Sequence, residues 1–182
     1  MKRNYTNILL ASGLILMAAA ARIINAEMHL YNLAPVAALG LFSGAIIKDK
    51  RFAYIMPLLA MFIADLYFTL FTNVNGFYGL EQVFVYGGMA LVTLLGTKMK
   101  NTGATRVLGF SLAGSVVFFI VSNFGSYLSG MWGYGFDGFI KTYVMAIPFF
   151  QNTLVGDLVG CTLLFGLYAM AQRSLAGRTQ KA

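Results

Sequence analysis

Apolar residues fall in six long runs: Asn7–Ile24, Leu33–Ile47, Phe52–Phe71, Leu80–Thr97, Val107–Tyr127 and Asn152–Gln172. A helix of about 20 apolar residues crosses the roughly 30 Å of bilayer hydrocarbon, and five of the runs approach that length. The second has only 15 residues, so it sits low, thins the bilayer or has its outer end covered by protein. The pattern predicts an all-α integral membrane protein, a six-transmembrane-helix bundle forming a single domain over 1–182. The first run follows Lys2 and Arg3 and also has the form of a signal peptide. With no soluble domain or cysteine framework behind it, it is read as helix 1.

Between the fifth and sixth runs lies Leu128–Gln151, where Gly130, Gly133, Gly135 and Gly138 permit irregular backbone among Trp132, Tyr134 and Phe136. Phe139, Ile140, Tyr143, Val144 and Ile147 then recur at helical spacing. They predict an outer amphipathic helix over about 138–148, ended by Pro148, with helix 6 starting afresh at Asn152.

Composition agrees with lipid as the solvent. The chain is 59% hydrophobic and only 10% charged, whereas soluble domains carry roughly 25% charged residues. The net charge of +7 would suit nucleic acid, but its placement excludes that reading. Eleven of the thirteen basic residues precede run one, follow run six, or fall between runs two and three or four and five. With an even number of spans these all lie on one side, which the positive-inside rule makes the cytoplasm, with both termini inside. The location expected is the bacterial inner membrane, with anionic lipid as an added partner. Of the six acidic residues only Asp49 falls on that side. Elaborated outer loops and an acidic outer half suggest capture of something from outside.

Depth along each run groups the polar residues. Asp157 lies about 7–8 Å below Asn152, Asp65 about 9 Å below Phe71, and Asn123 about 6 Å below Tyr127, at 1.5 Å per residue. Ser122 joins this layer and Asn152 stands at its upper edge. A carboxylate in hydrocarbon costs several kcal/mol unless it faces protein or water, so these groups are expected to line one shared inner cavity. Two roles fit them. They bind a ligand, or they serve as interhelical hydrogen-bond glue. Trp132 and Tyr134 likewise either cap a ligand pocket or belong to an interfacial aromatic belt. Glu81, nearer the surface, is read as solvated, and Gly40-x-x-x-Gly44 and Gly156-x-x-x-Gly160 as close-packing faces.

Enzyme chemistry finds little support. One Cys and one His supply neither a disulfide framework nor a protein-only metal site, and no cofactor is implied. Cys161 reads as a small packing residue. A serine protease needs a His base beside its nucleophile, but His29 lies in the first outer loop and Ser129-Gly130 lacks the preceding glycine of a rhomboid-type turn. Neither Asp65 nor Asp157 sits in a GxGD or Tyr-Asp context. No catalytic residue is assigned.

The stretches "NLAPVAALGLFSGA", "MPLLAMFIADLYF", "VVFFIVSNFGSYL" and "AIPFFQNTLVGDLVG" resemble an uncharacterised bacterial family of transport-type membrane proteins, catalogued as a domain of unknown function. With six runs and a short second one, the chain is also similar to the substrate-binding (S) components of energy-coupling-factor (ECF) transporters. The resemblance covers about Asn32 to Tyr168. It implies an S-component-like fold, a small-molecule ligand, and polar motif residues at Asn32, Asp65, Ser122, Asn123, Asn152 and Asp157. The Ala-x-x-x-Ala by which many S components dock a coupling subunit is missing from helix 1, where Ala18 is followed by Arg22 and Ala11 by Ile15.

The function expected is therefore membrane transport, with a small solute bound in an outer-half cavity by Asn32, Asp65, Ser122, Asn123, Asn152 and Asp157 under Trp132 and Tyr134. No G-x-x-x-x-G-K-[ST] loop is present. Active transport would need either an ion gradient or a separate energy-coupling module, a transmembrane subunit plus ATPases. The alternatives are a membrane scaffold or accessory subunit and, further off, an intramembrane enzyme.

Overall fold

The computed structural model describes residues 2–28 and 35–179, and within them the chain forms six helices and no strand. They are α1 (Lys2–Glu27), α2 (Val36–Ile46), α3 (Lys50–Phe71), α4 (Leu80–Thr97), α5 (Ala104–Leu128) and α6 (Gly135–Thr179). Four of them, α3 to α6, are long and apolar enough to cross a membrane. Their outward faces carry exposed Leu66, Leu70, Ile120, Leu163 and Leu167, a surface suited to lipid and unsuited to water.

Helix α2 forms the centre. At 11 residues it is about 16 Å long, half a bilayer. All residues from Ala37 to Gly44 are buried, as befits a helix apolar on every side. It touches α1, α3, α4, α5 and α6. Its closest neighbour is α4, and glycine allows the approach. A Cβ on Gly44 would collide with the Thr93 carbonyl, and one on Gly96 with the Leu41 carbonyl. The expected close-packing face at Gly40 and Gly44 is therefore real, with Gly96 completing it from α4.

The lower end of α2 is tied to α3 by a hydrogen bond that a proline makes necessary. Pro57 lies inside α3 and is buried. Lacking an N–H, it leaves the Ala53 carbonyl, four residues back, without its helical partner. Ser43 Oγ donates to that carbonyl at 2.6 Å. The first turn of α3 is capped by Asp49, whose carboxylate accepts from the Arg51 N–H at 2.9 Å and the Phe52 N–H at 3.4 Å.

The α5–α6 hairpin departs from expectation. No break separates an outer amphipathic helix from helix 6, because α6 continues through Pro148 for 45 residues, about 68 Å. A tight turn precedes it, with Gly130, Gly133 and Gly135 in left-handed backbone at φ of 75°, 91° and 77°. The early part of α6 then packs antiparallel along α5. Phe139 meets Tyr127 edge-to-face at 5.4 Å and Phe150 meets Phe119 at a tilt at 4.6 Å between ring centroids, and Tyr143 Oη donates to the Ile120 carbonyl at 2.9 Å. The side-chain contacts hold the segment to α5, and these outweigh the single helical bond that Pro148 removes.

Two stability outcomes follow. Gly44→Ala destabilises the protein by about 1–3 kcal/mol through overpacking, while Gly13→Ala, whose Cβ would meet nothing within 4 Å, does not lower the thermal transition in detergent, since alanine suits a helix interior better than glycine. Ser43→Ala costs about 1–3 kcal/mol by orphaning the Ala53 carbonyl. In a Pro57→Ala background, where the residue 57 N–H returns, the same change costs less, and a double-mutant cycle of denaturation midpoints measures the difference.

Candidate functional site

The two buried carboxylates occupy different places and different electrostatic settings. Asp65, on α3, is 1% exposed. Its Oδ1 stands 2.8 Å from Arg22 Nη1 of α1. Its Oδ2 accepts from Tyr86 Oη at 2.8 Å and from Gln82 Nε2 at 3.1 Å, both on α4. Arg22 also donates to the Met61 carbonyl at 3.3 Å and lies over the Phe68 ring. Gln82 reaches the Gly76 carbonyl as well, which ties the 72–79 connection to the same cluster. Burial, followed by the Asp65 charge, pushes the Tyr78 phenol in that connection up to about 12. Asp65 therefore joins three helices and has its charge met by a cation.

Asp157, on α6, is 0% exposed. Its Oδ1 accepts from the Ala38 N–H of α2 at 3.1 Å, and its Oδ2 accepts from Ser115 Oγ of α5 at 2.7 Å. Helix α2 begins directly after Pro35, which offers no side-chain cap, so the first N–H groups of the helix need an acceptor from elsewhere. Asp157 supplies it across 119 residues, with its negative charge at the positive end of the α2 dipole. Gly160, one turn further along α6, makes room: a Cβ there would collide with Pro35. Among the described residues no cation pairs with Asp157.

The depth of Asp157 differs from the expected one. Its partner Ser115 is 11 residues from Ala104 and 13 from Leu128, so the site stands about 17 Å from one end of α5 and about 20 Å from the other. The shallower estimate took helix 6 to start at Asn152, whereas α6 begins at Gly135. Asn123, eight residues along α5 from Ser115, lies about 12 Å nearer the end. Asp65, Asn123 and Asp157 thus do not form one layer.

The other expected site residues are dispersed. Asn123 Nδ2 donates to the Phe119 carbonyl at 2.8 Å and Ser122 Oγ to that of Phe118 at 2.8 Å, each within its own helix. Asn152 is exposed on α6. Tyr134 is exposed, and Trp132 has Lys141 Nζ 5.3 Å from its ring centroid. Asn32 lies outside the described residues. Glu81, expected to be solvated, accepts from Ser129 Oγ at 2.7 Å and Ser126 Oγ at 3.3 Å, which joins the start of α4 to the end of α5.

Several partners escaped the sequence reading. Ser111 and Ser115 are four apart in "GFSLAGSVV", a spacing that puts both on one helix face. Arg22, an arginine inside an apolar run, needed an acidic partner there. Between α5 and α6, at the Thr102 end, is a pocket of about 290 Å³ walled by Val107, Ser111, Leu158, Cys161, Phe165 and Gly166. The Ser111 hydroxyl is buried beside the Cys161 thiol and makes no close hydrogen bond.

The profile of a family of unknown function, DUF6580, matches residues 2–180. No curated protein and no solved structure matches the chain.

The two carboxylates should respond differently to substitution. Asp65→Asn or Arg22→Met alone leaves a buried charge unpaired and costs about 3–5 kcal/mol, and the double variant costs less than the sum. Thermal denaturation of the four proteins in one detergent measures that coupling.

Proposed function

We propose that this chain, which belongs to the DUF6580 family, is a multi-pass transport protein of the bacterial inner membrane that takes a small solute at Asp157. The observation that carries this reading is the half-length helix α2, whose first turn stands midway along α5 against a carboxylate with no cation beside it among the described residues. Transporters characteristically place substrate and coupling-ion sites near the bilayer midplane, at the ends of discontinuous helices. An isolated carboxylate there favours a solute with amine or hydroxyl groups. Asp65, neutralised by Arg22, acts as a clamp on α1, α3 and α4 and leaves Asp157 as the solute-facing group.

The S-component likeness belongs to the same proposal, with both termini cytoplasmic and capture from the outer side. The chain has no phosphate-binding loop of its own, so energy comes from an ion gradient or from a separate coupling module. A second reading, a non-transporting scaffold or accessory subunit, draws on the fact that both carboxylates find donors within the chain.

Mass spectrometry of small molecules extracted from the purified protein separates the two. Under the transport reading a solute co-purifies with the wild type, is lost from Asp157→Asn, and is retained by Trp132→Ala. Asp157→Asn keeps a monodisperse elution profile. A solute held equally by Asp157→Asn, or none held by any form together with no thermal shift across a solute panel, sinks the reading in favour of the scaffold.

A further inference from the structure

The geometry points to Asp157, Ser115 and the Ser111 carbonyl as a proton-binding site that is hydrogen-bonded in both the ionised and the neutral state, reached through the pocket between α5 and α6. This goes beyond solute binding and does not depend on it.

The argument begins with a count of hydrogens. Ser115 Oγ has two acceptors within reach, Asp157 Oδ2 at 2.7 Å and the Ser111 carbonyl at 3.0 Å. A hydroxyl has one proton and two lone pairs, so it donates to one acceptor at a time. When Asp157 is ionised, Ser115 donates to Oδ2. When Asp157 is protonated at Oδ2, the acid donates to Ser115 Oγ and Ser115 turns its own proton to the Ser111 carbonyl. The Ala38 N–H donates to Oδ1 in either state. Asp157 and Ser115 each have a partner before and after, and apart from the proton gained only the Ser115 hydroxyl proton rotates.

The charge balance supports exchange between these states. An ionised carboxylate in an apolar interior without a counter-ion is strongly disfavoured, while the α2 N-terminus offsets part of that cost. Among the described residues, the groups facing Asp157 set no permanent charge. Residues Val36–Ile46 of α2 include no titratable side chain, and α5 presents the two serines. The titratable group beside it on α6 is Cys161, one turn along, and the charged Arg22 stands with Asp65 in the other cluster.

The pocket supplies the route. Ser111 and Cys161 form part of its wall, one turn from Ser115 and Asp157 respectively. Its roughly 290 Å³ has room for several waters at about 30 Å³ each. The buried Ser111 hydroxyl, without a close partner, is the polar group that such water meets. A hydrated proton that enters the pocket from solution gives up its proton and is left as neutral water, Asp157 Oδ2 gains that proton, and no other bond is made or broken.

Infrared spectroscopy of the full chain in lipid tests this without a solute. A carboxylic-acid C=O component should weaken as pH rises, persist in Asp65→Asn and be missing from Asp157→Asn, whose remaining acid bands are those of the exposed carboxyls that titrate at about pH 4. In Ser115→Ala, which keeps the carboxylate, the acid band at a fixed pH should be stronger, because the charge-assisted bond lost by the ionised form outweighs the neutral bond lost by the acid. That variant carries the test if Asp157→Asn fails to fold. Gly166→Leu, which fills the pocket from a position where a Cβ meets nothing within 4 Å, should slow the deuterium shift of the band several-fold. A spectrum without a pH-dependent component that Asp157→Asn removes, or one that Ser115→Ala leaves unchanged, overturns the two-state site. An unchanged exchange rate in Gly166→Leu overturns the route.

Discussion

The carboxylate of Asp157 against the first turn of α2 is the contact on which the rest of the bundle depends. A helix that starts inside a membrane protein exposes N–H groups where no water can reach them. Pro35 sets the start of α2 and cannot cap it. Asp157 does so from α6, and Ser115 holds the other oxygen from α5. Three helices are thereby registered at one point. With its other end tied by Ser43 to the carbonyl that Pro57 frees in α3, α2 becomes a fixed core around which the long helices pack. Glycines 44 and 96 then let α4 close against it.

The same chemistry is used differently at the second buried carboxylate. Asp65 is met by Arg22, Gln82 and Tyr86, so its charge is cancelled locally and its value is in holding helices together. Asp157 is met by a backbone amide and a hydroxyl, which satisfy its hydrogen bonds without cancelling its charge. That asymmetry is the basis for assigning the proposed transport role, and the proton site, to Asp157 alone.

Much of the architecture was legible in the chain. Apolar run length located α2 to α5 closely, and the short second run marked a helix shorter than the others, though not how short. The glycine spacing at Gly40 and Gly44 marked a close-packing face. Proline misled at α6: Pro148 reads as a stop, but ring packing of Phe139, Tyr143 and Phe150 on α5 carries the helix through. Moving the start of α6 shifted the depth of Asp157, and the shared polar layer dissolved with it. Serines 111 and 115 were passed over because a serine in an apolar run ordinarily bonds its own helix, as Ser122 does.

The sequence by itself determined that the chain is helical, that lipid suits its surface, and that the carboxylates at 65 and 157 must find partners inside, because hydropathy and the cost of burying charge are properties of composition and local order. Only the tertiary structure decided which partners those are. Arg22 and Asp65 are 43 residues apart and Ala38 and Asp157 are 119 apart. Nothing local distinguishes the aspartate that meets a cation from the one that meets a helix end. That difference arises from how α1 packs on α3 and how α6 packs on α2, and it turns two similar residues into a clamp and a candidate site.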